Sequence, residues 1–222
     1  MADDDDPATP ADSKLTRTKQ LWAQAGKFLT GQASRPESDR LPPGQHLVKD
    51  WPVLDLGLQP SIDKARWQLD VFGAVENPVI WDFAAFSAQP QVTQVCDIHC
   101  VTTWSRYDNH FEGLTTLALA EIVRPRPEAG HVVLHSADGY TTNLSLQDFL
   151  GEDVLIAHAW EGRPLTSDHG GPVRLVVPRL YFWKSAKWLS RIEFATRDKP
   201  GFWEVRGYHN RGDPWREERY SE

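Results

Sequence analysis

Apolar and polar positions change their rhythm several times along the chain. Residues 14–30, "KLTRTKQLWAQAGKFLT", place Leu21, Trp22, Ala25, Phe28 and Leu29 at helical spacing, which predicts a helix. The stretch "GQASRPESDRLPPGQ" is broken by Gly31, Pro36, Pro42, Pro43 and Gly44 and reads as loop. From "WPVLDLG" onward the texture predicts β-structure. "ARWQLDVFGAV" alternates up to a turn at "ENP", and "QVTQVCDIHCV" alternates again through Val92, Val95 and Ile98 before a loop that carries Cys100. "GHVVLHSA", the turn "DG" and "YTTNLSL" predict a hairpin. "VLIAHAWEG" and "VRLVVP" read as apolar strands. "WKSAKWLSRIEFAT" reads as a loop or short helix leading into another strand. Between these lie short helices: "WDFAAFSAQ" with Asp82 at its start, "TTLALAEIVRP" stopped by Pro125, and "LQDFLGE". Strands dominate without a regular strand–helix alternation, so the expected class is mixed α+β.

Length adds that 222 residues suffice for one large domain or two small ones. The expected organisation is a disordered acidic segment over 1–13, a helix and linker over 14–39, and one domain over 40–222. Ten tryptophans supply rigid wall and core area. A net charge of −7 argues against a broad nucleic-acid surface. Neither an apolar signal-peptide core nor a membrane-length apolar run occurs, so a cytoplasmic protein is expected.

Both cysteines sit in "CDIHCVTTWS", at Cys96 and Cys100. Four readings compete. A disulfide conflicts with a reducing compartment. A zinc site has His99 and His110 nearby but no second Cys/His pair at finger-like spacing. A catalytic thiol has His99, His158 or His169 as possible bases. Ordinary packing of two small buried residues is the fourth.

A second cluster changes the picture. Residues 169–192 hold Arg174, Arg179, Lys184, Lys187 and Arg191, five cations, with no Asp or Glu before Glu193. The paired glycines of "HGGP" let backbone N–H groups approach an anion, and arginine and lysine neutralise it. The alternative is a strand with a basic outer face. A thiol together with an anion cradle suggests a phosphate-bearing cofactor whose reactive centre meets Cys100. A soft thiolate is a good ligand for a transition metal.

The segments "IHCVTTWS", "HGGPVRLVVP", "KSAKWLSRIEF" and "GFWEVRGYHNRGDPWREERY" together resemble the molybdopterin-binding domain of the sulfite oxidase superfamily. Its small stand-alone members, the sulfite oxidase-like oxidoreductases, are the nearest in kind, and the resemblance runs from about Arg40 to the C-terminus. It implies a β-rich fold with short helices and a mononuclear molybdenum centre. That centre takes two sulfurs from a pterin dithiolene and a third from a protein cysteine, here Cys100; Cys96 falls outside the motif and is assigned to packing. The family's "(H/N)GxPxR" segment, which holds the pterin, falls on His169 and Arg174. Its "S-x-K-W" segment, at the phosphate end, falls on Ser185, Ala186, Lys187 and Trp188. "RLPPGQH" offers Arg40, Gln45 and His46 as further cofactor contacts, and "VVLHS" offers His135 or Ser136. Trp104, Arg106, Tyr107, His110 and Tyr181 are candidates for the substrate mouth. Sulfite oxidases proper carry an arginine-rich segment after the cysteine, whereas Val101, Thr102, Thr103 and Trp104 follow here. The cysteine segment is closer in style to periplasmic reductases of oxidised methionine, whose twin-arginine export signal does not occur in this sequence.

The resemblance thus implies transfer of an oxygen atom to or from a small sulfite- or sulfoxide-like substrate. Electrons are exchanged with a separate protein or haem subunit, since no segment after residue 195 offers a haem module, and a monomer is expected. The alternatives are a cofactor-free binding domain of the same fold and a cysteine-dependent enzyme. The C-terminal "GYHNRGDPWREERY" is expected to pack across the domain near the pocket.

Overall fold

In a computed structural model, residues 40–55 and 59–221 are described. The expected disordered segment over 1–13 and helix over 14–30 lie outside them. Residues 40–222 form one compact unit, built largely on two sheets.

The first sheet contains β1 (His46–Leu47), β4 (Gln91–His99), β5 (Trp104–Thr115), β8 (Leu155–Trp160), β9 (Arg163–Pro164) and β10 (Arg174–Val176). The second runs in the order β3 (Val79–Asp82), β2 (Gln68–Gly73), β11 (Leu189–Ala195), β6 (His131–Ser136), β7 (Thr141–Ser145). Alternation explains β2: Leu69 and Val71 are fully buried while Gln68 is exposed and Asp70 half-buried. β6 and β7 form the hairpin expected around "DG", with His131 paired to Ser145 and His135 to Thr141.

Three short helices follow the local rules. In α1 (Phe83–Ser87) the Asp82 carboxylate accepts from the Ala85 N–H. In α2 (Thr116–Val123) the Thr115 hydroxyl accepts from the Ala118 N–H, and the helix ends at left-handed Arg124 just before Pro125. In α3 (Leu146–Phe149) the cap is Ser145. Each cap satisfies an N–H that the helix leaves unpaired.

Two segments depart from the expected pattern. Residues 51–55 after β1 have no regular structure, although the texture there suggested β. The longest strand, β5, lies where no strand was expected. Its sequence, "WSRYDNHFEGLT", is too polar to show alternation. Its charges are instead satisfied from neighbouring elements: Arg40 clamps Asp97 on β4 and also reaches Asp108 on β5. The ladder slips between Cys96 and Ile98 on β4 and between Glu112 and Gly113 on β5. Such bulges break the two-residue period.

β10 belongs to the first sheet and β11 to the second, and residues 177–188 connect them. That crossing runs through a 3-10 turn at Phe182–Lys184. It is tied down by Leu175 N–H to the Ala186 carbonyl and Leu189 N–H to the Val173 carbonyl. No helix among the described residues is long and apolar enough to cross a membrane.

Candidate active site

Cys100 stands at the tip of the β4–β5 hairpin. Its N–H donates to the Trp104 carbonyl at 2.8 Å, and the Thr103 N–H donates back to the Cys100 carbonyl at 3.0 Å. Residues 101–103 therefore make a three-residue loop, which needs a left-handed residue at its end. Thr103 fills that role with φ 77°. The thiol is 6 % exposed, within a cluster containing Trp51, Ile98, Trp104, Phe111, Val176 and Phe182.

Cys100 lines a cavity of about 330 Å³, a volume suited to a small organic ligand. Trp51, Trp104, Tyr140, Phe182, Trp183, Trp188, Trp203 and Tyr208 give it aromatic walls, and Arg174, Lys187, Ser136, Ser185, Asp55 and Asp138 supply polar groups. The second half of the 169–192 segment thus meets the cysteine loop across one cavity.

The five cations of that segment separate into two kinds. Arg179 pairs with Asp153, Arg191 with Asp70, and Lys184 with Glu204. Arg174 and Lys187 pair with no carboxylate among the described residues. The Arg174 guanidinium, on a residue 1 % exposed, donates to the carbonyls of His169 and Ser185, both at 2.8 Å, and of Leu175 at 3.2 Å. It also lies over the ring of Phe182. Burial pushes its pKa down to about 9. Lys187 donates to the Asp168 carbonyl at 2.6 Å, and burial, then the charge of Arg174, push it down to about 8. Asp55 and Asp138 share the lining and, with Asp168, favour the charged form of Lys187 from beyond ion-pair distance. Two buried cations without a direct ion-pair partner among the described residues suit an anion, because a buried charge is costly until something neutralises it.

The paired glycines act differently from expectation. The N–H groups of Gly170 and Gly171 are taken by the carbonyls of Ser167 and Thr166, so neither is left for an anion. Gly170 has φ 94°, and a Cβ there would meet Lys187 at 2.8 Å. The glycine is needed for close packing beneath Lys187.

The other expected site residues are distributed unevenly. Trp104 and Ser185 line the cavity beside Cys100. Ser185 Oγ accepts from the Val177 N–H. Ala186 is buried behind it, its carbonyl holding Leu175. His169 backs the wall, its ring stacked on Trp51 at 4.0 Å between centroids. Burial pushes its imidazole pKa down. Gln45 lies beneath the loop and donates to the Cys100 carbonyl at 3.1 Å. Tyr181 is fully buried and stacked on Trp183.

Gln45, His169, Tyr181 and Ala186 stand behind the lining, and His46, His135, Arg106, Tyr107, His110 and Arg40 also fall outside it and turn to other partners. His46 is exposed and meets the loop through its backbone N–H, which donates to the Thr103 carbonyl. His135 faces Glu193 and Phe72 on the second sheet, while its neighbour Ser136 lines the cavity. Arg106 bonds to the Lys49 carbonyl and Asn109, and lies over Trp160. Tyr107 packs under Arg40, and His110 is exposed beside Glu161. All three continue along β5, which carries them away from the hairpin tip. Arg40 itself is bound to Asp97.

Several cavity residues were not singled out from sequence, among them Trp51, Asp55, Asp138, Tyr140 and Phe182. Trp183, Trp203 and Tyr208 converge from the crossing and the C-terminal segment, Tyr208 against Trp183 at 5.0 Å and Trp203 at 4.8 Å between centroids. Glu204 fixes the group by accepting from Trp183 Nε1 at 3.0 Å, Thr142 Oγ at 2.9 Å and Lys184 Nζ at 2.6 Å. The expectation that the tail packs near the pocket agrees with this geometry.

The competing cysteine chemistries fit less well. Both thiols are free. Among the described residues no three His, Cys, Asp or Glu side chains group to hold a metal ion, as a zinc site requires. Burial pushes the Cys100 thiol up, the reverse of an activated nucleophile. The cavity does fit a flat anionic group with a soft metal. It offers one sulfur, two cations without direct ion-pair partners among the described residues, aromatic walls, and buried donors at Trp104 Nε1 and Ser136 Oγ with no hydrogen-bond partner among the described residues.

Comparison with known proteins agrees. The profile of the oxidoreductase molybdopterin binding domain matches residues 56–203. An uncharacterized oxidoreductase, YuiH of Bacillus subtilis, is 48% identical over 186 residues, 83% of this chain and 94% of that protein. A putative protein-methionine-sulfoxide reductase subunit, YedZ1 of Azospira oryzae, is 28% identical over 67% of this chain and 56% of its own length. The catalytic subunit MsrP of the protein-methionine-sulfoxide reductase of Gluconobacter oxydans is 27% identical over 62% of this chain and 49% of its own. The sulfane dehydrogenase SoxCD of Paracoccus pantotrophus shares the fold, with TM-score 0.58 at 20% identity over 63% of this chain and 40% of that one. On the matched domain and the YuiH similarity, the chain belongs to the molybdopterin-binding oxidoreductases of the sulfite oxidase superfamily.

Proposed function

We propose that this chain binds a molybdenum–pterin cofactor through Cys100 and moves an oxygen atom at the sulfur of a small, neutral, sulfoxide-type substrate. The observation that carries the reading is the meeting of one soft sulfur and two cations without direct ion-pair partners among the described residues in a single aromatic cavity. Cys100 Sγ is the metal ligand. Arg174 and Lys187 neutralise the anionic end of the cofactor, and Trp104 Nε1 and Ser136 Oγ donate hydrogen bonds to its polar edge. Bound there, the cofactor supplies a two-electron metal centre able to exchange an oxygen atom.

The protein's own residues favour a neutral substrate over sulfite. Arg106 is turned away from the cavity, and Arg219 donates to the Val101 carbonyl. The cavity's own cations are those assigned to the cofactor. Trp183, Trp203 and Tyr208 offer flat apolar faces, which suit a thioether or sulfoxide. The balanced reaction is R–S(=O)–R′ + 2 H⁺ + 2 e⁻ → R–S–R′ + H₂O. The electrons come from a separate redox protein, in keeping with relatives that are named as subunits.

The test couples oxidation of reduced viologen dye to dimethyl sulfoxide or methionine sulfoxide, beside ferricyanide-linked sulfite oxidation, with Cys100→Ser as control. Sulfoxide-dependent dye oxidation that Cys100→Ser abolishes supports the reading. Faster turnover of sulfite than of either sulfoxide overturns the substrate assignment.

A further inference from the structure

The loop that carries Cys100 is held from distant parts of the chain. Gln45 Nε2 donates to the Cys100 carbonyl at 3.1 Å, Arg219 Nη1 to the Val101 carbonyl at 2.6 Å, and the His46 N–H to the Thr103 carbonyl at 2.8 Å. Thr103 is β-branched yet sits at φ 77°. Such a conformation is strained for a β-branched residue and persists only where its surroundings over-determine it. Between these clamps lies Thr102. Its hydroxyl donates to Cys100 Sγ at 3.1 Å. Arg219 brings a positive charge to the same loop, its guanidinium resting over the Tyr181 ring at 5.0 Å.

We propose that Thr102 is a positioning residue that aims the Cys100 sulfur and weakens its donation to the metal, with Arg219 fixing the loop that presents it. The inference rests on the assignment of Cys100 as a metal ligand. A hydroxyl donating to an anionic sulfur makes a charge-assisted hydrogen bond. Electron density held in that bond is less available to the metal, so the metal accepts electrons more readily. Hydrogen bonds to ligating sulfur are a recognised means of tuning potential. Thr102 lies at the rim of the cavity, so it acts through the sulfur and leaves the pterin contacts of Arg174 and Lys187 untouched. Arg219 comes from the C-terminal segment, 118 residues from Val101. That segment therefore bears on the metal as well as on the cavity wall.

The experiment uses the cofactor-loaded full chain in four forms: wild type, Thr102→Val, Thr102→Ser and Arg219→Gln. Molybdenum content, the sulfur-to-metal absorption band and the metal midpoint potential are measured on each. Thr102→Val is expected to keep its molybdenum, move the band to longer wavelength and shift the midpoint to more negative potential. Thr102→Ser restores both toward wild type, since it keeps the hydroxyl. Arg219→Gln moves both in the same direction as Thr102→Val. Thr102→Val with wild-type band and potential at full molybdenum content overturns the inference. Thr102→Ser behaving like Thr102→Val does so too, because the methyl and not the hydroxyl would then matter. Thr102→Val losing molybdenum that Thr102→Ser retains overturns it as well, because the hydroxyl would then be needed to load the metal and not to tune it. Wild-type protein without molybdenum, made in a host that synthesises the cofactor, overturns the ligand assignment and this inference with it.

Discussion

Arg174 offers the sharpest energetic test, because its charge is buried before any anion arrives. Burial pushes its pKa down to about 9. At about 1.4 kcal/mol per pH unit, charging it in the cofactor-free cavity costs about 5 kcal/mol. Arg174→Met removes that cost and keeps most of the volume. It also strips a donor from the carbonyls of His169, Leu175 and Ser185. Each stranded carbonyl costs at least about 1 kcal/mol. The net expectation is a cofactor-free variant more stable than wild type by up to about 2 kcal/mol, much as apolar replacement of buried ions often stabilises. Calorimetric or fluorescence melting of the cofactor-free proteins reads this as a Tm raised by several degrees. Inorganic pyrophosphate should then stabilise wild type more than Arg174→Met, which keeps only Lys187. A cofactor-free variant destabilised by more than about 2 kcal/mol would refute the reasoning. It would show that the guanidinium is a strut for the 169–185 turn and not a cation awaiting an anion.

Other consequences follow from the same geometry. Lys187 is pushed down to about 8, so the unfolded chain binds more protons than the cofactor-free fold between that value and the ordinary lysine range. Stability of the cofactor-free protein should rise with pH across that window, pyrophosphate affinity should fall above pH about 8, and Lys187→Met should flatten both in melting and calorimetric titrations. The Lys184–Glu204 pair is 2.6 Å apart with side chains 0 % and 1 % exposed. Glu204→Ala strands the lysine and should cost about 3–5 kcal/mol in denaturant melts, while freeing Trp183 and raising KM for the substrate. Thr103→Gly relieves the left-handed strain and should stabilise the cofactor-free chain by about 1 kcal/mol. A variant less stable than wild type would show that the Thr103 side chain contributes contacts outweighing the strain.

Much of the fold was legible because local chemistry decided it. Asp82 announces the first helix through its cap, Pro125 the end of the second, and "DG" the β6–β7 hairpin. β5 escaped because its charges are answered by residues on other elements, such as Arg40 with Asp97 and Asp108, and a tertiary pairing leaves no mark on periodicity. The cation cluster was visible as composition. Only the structure separates Arg179, Lys184 and Arg191, which have distant carboxylates, from Arg174 and Lys187, which do not. The glycine pair was noticed and assigned the wrong work: sequence shows that glycine permits close approach, but not which atoms approach. Trp203 and Tyr208 reach the cavity from about 100 residues beyond Cys100, a distance over which spacing carries no geometric information.

The claim beneath all of this is that the Cys100 sulfur holds molybdenum in the cavity guarded by Arg174 and Lys187. Elemental analysis of wild type and Cys100→Ser, both produced in a host that makes the pterin cofactor, tests it most directly. The account predicts about one molybdenum per wild-type chain and a sulfur-to-metal absorption band that Cys100→Ser lacks. Wild-type protein purified without molybdenum from such a host, or an absorption spectrum indifferent to Cys100→Ser, would contradict it.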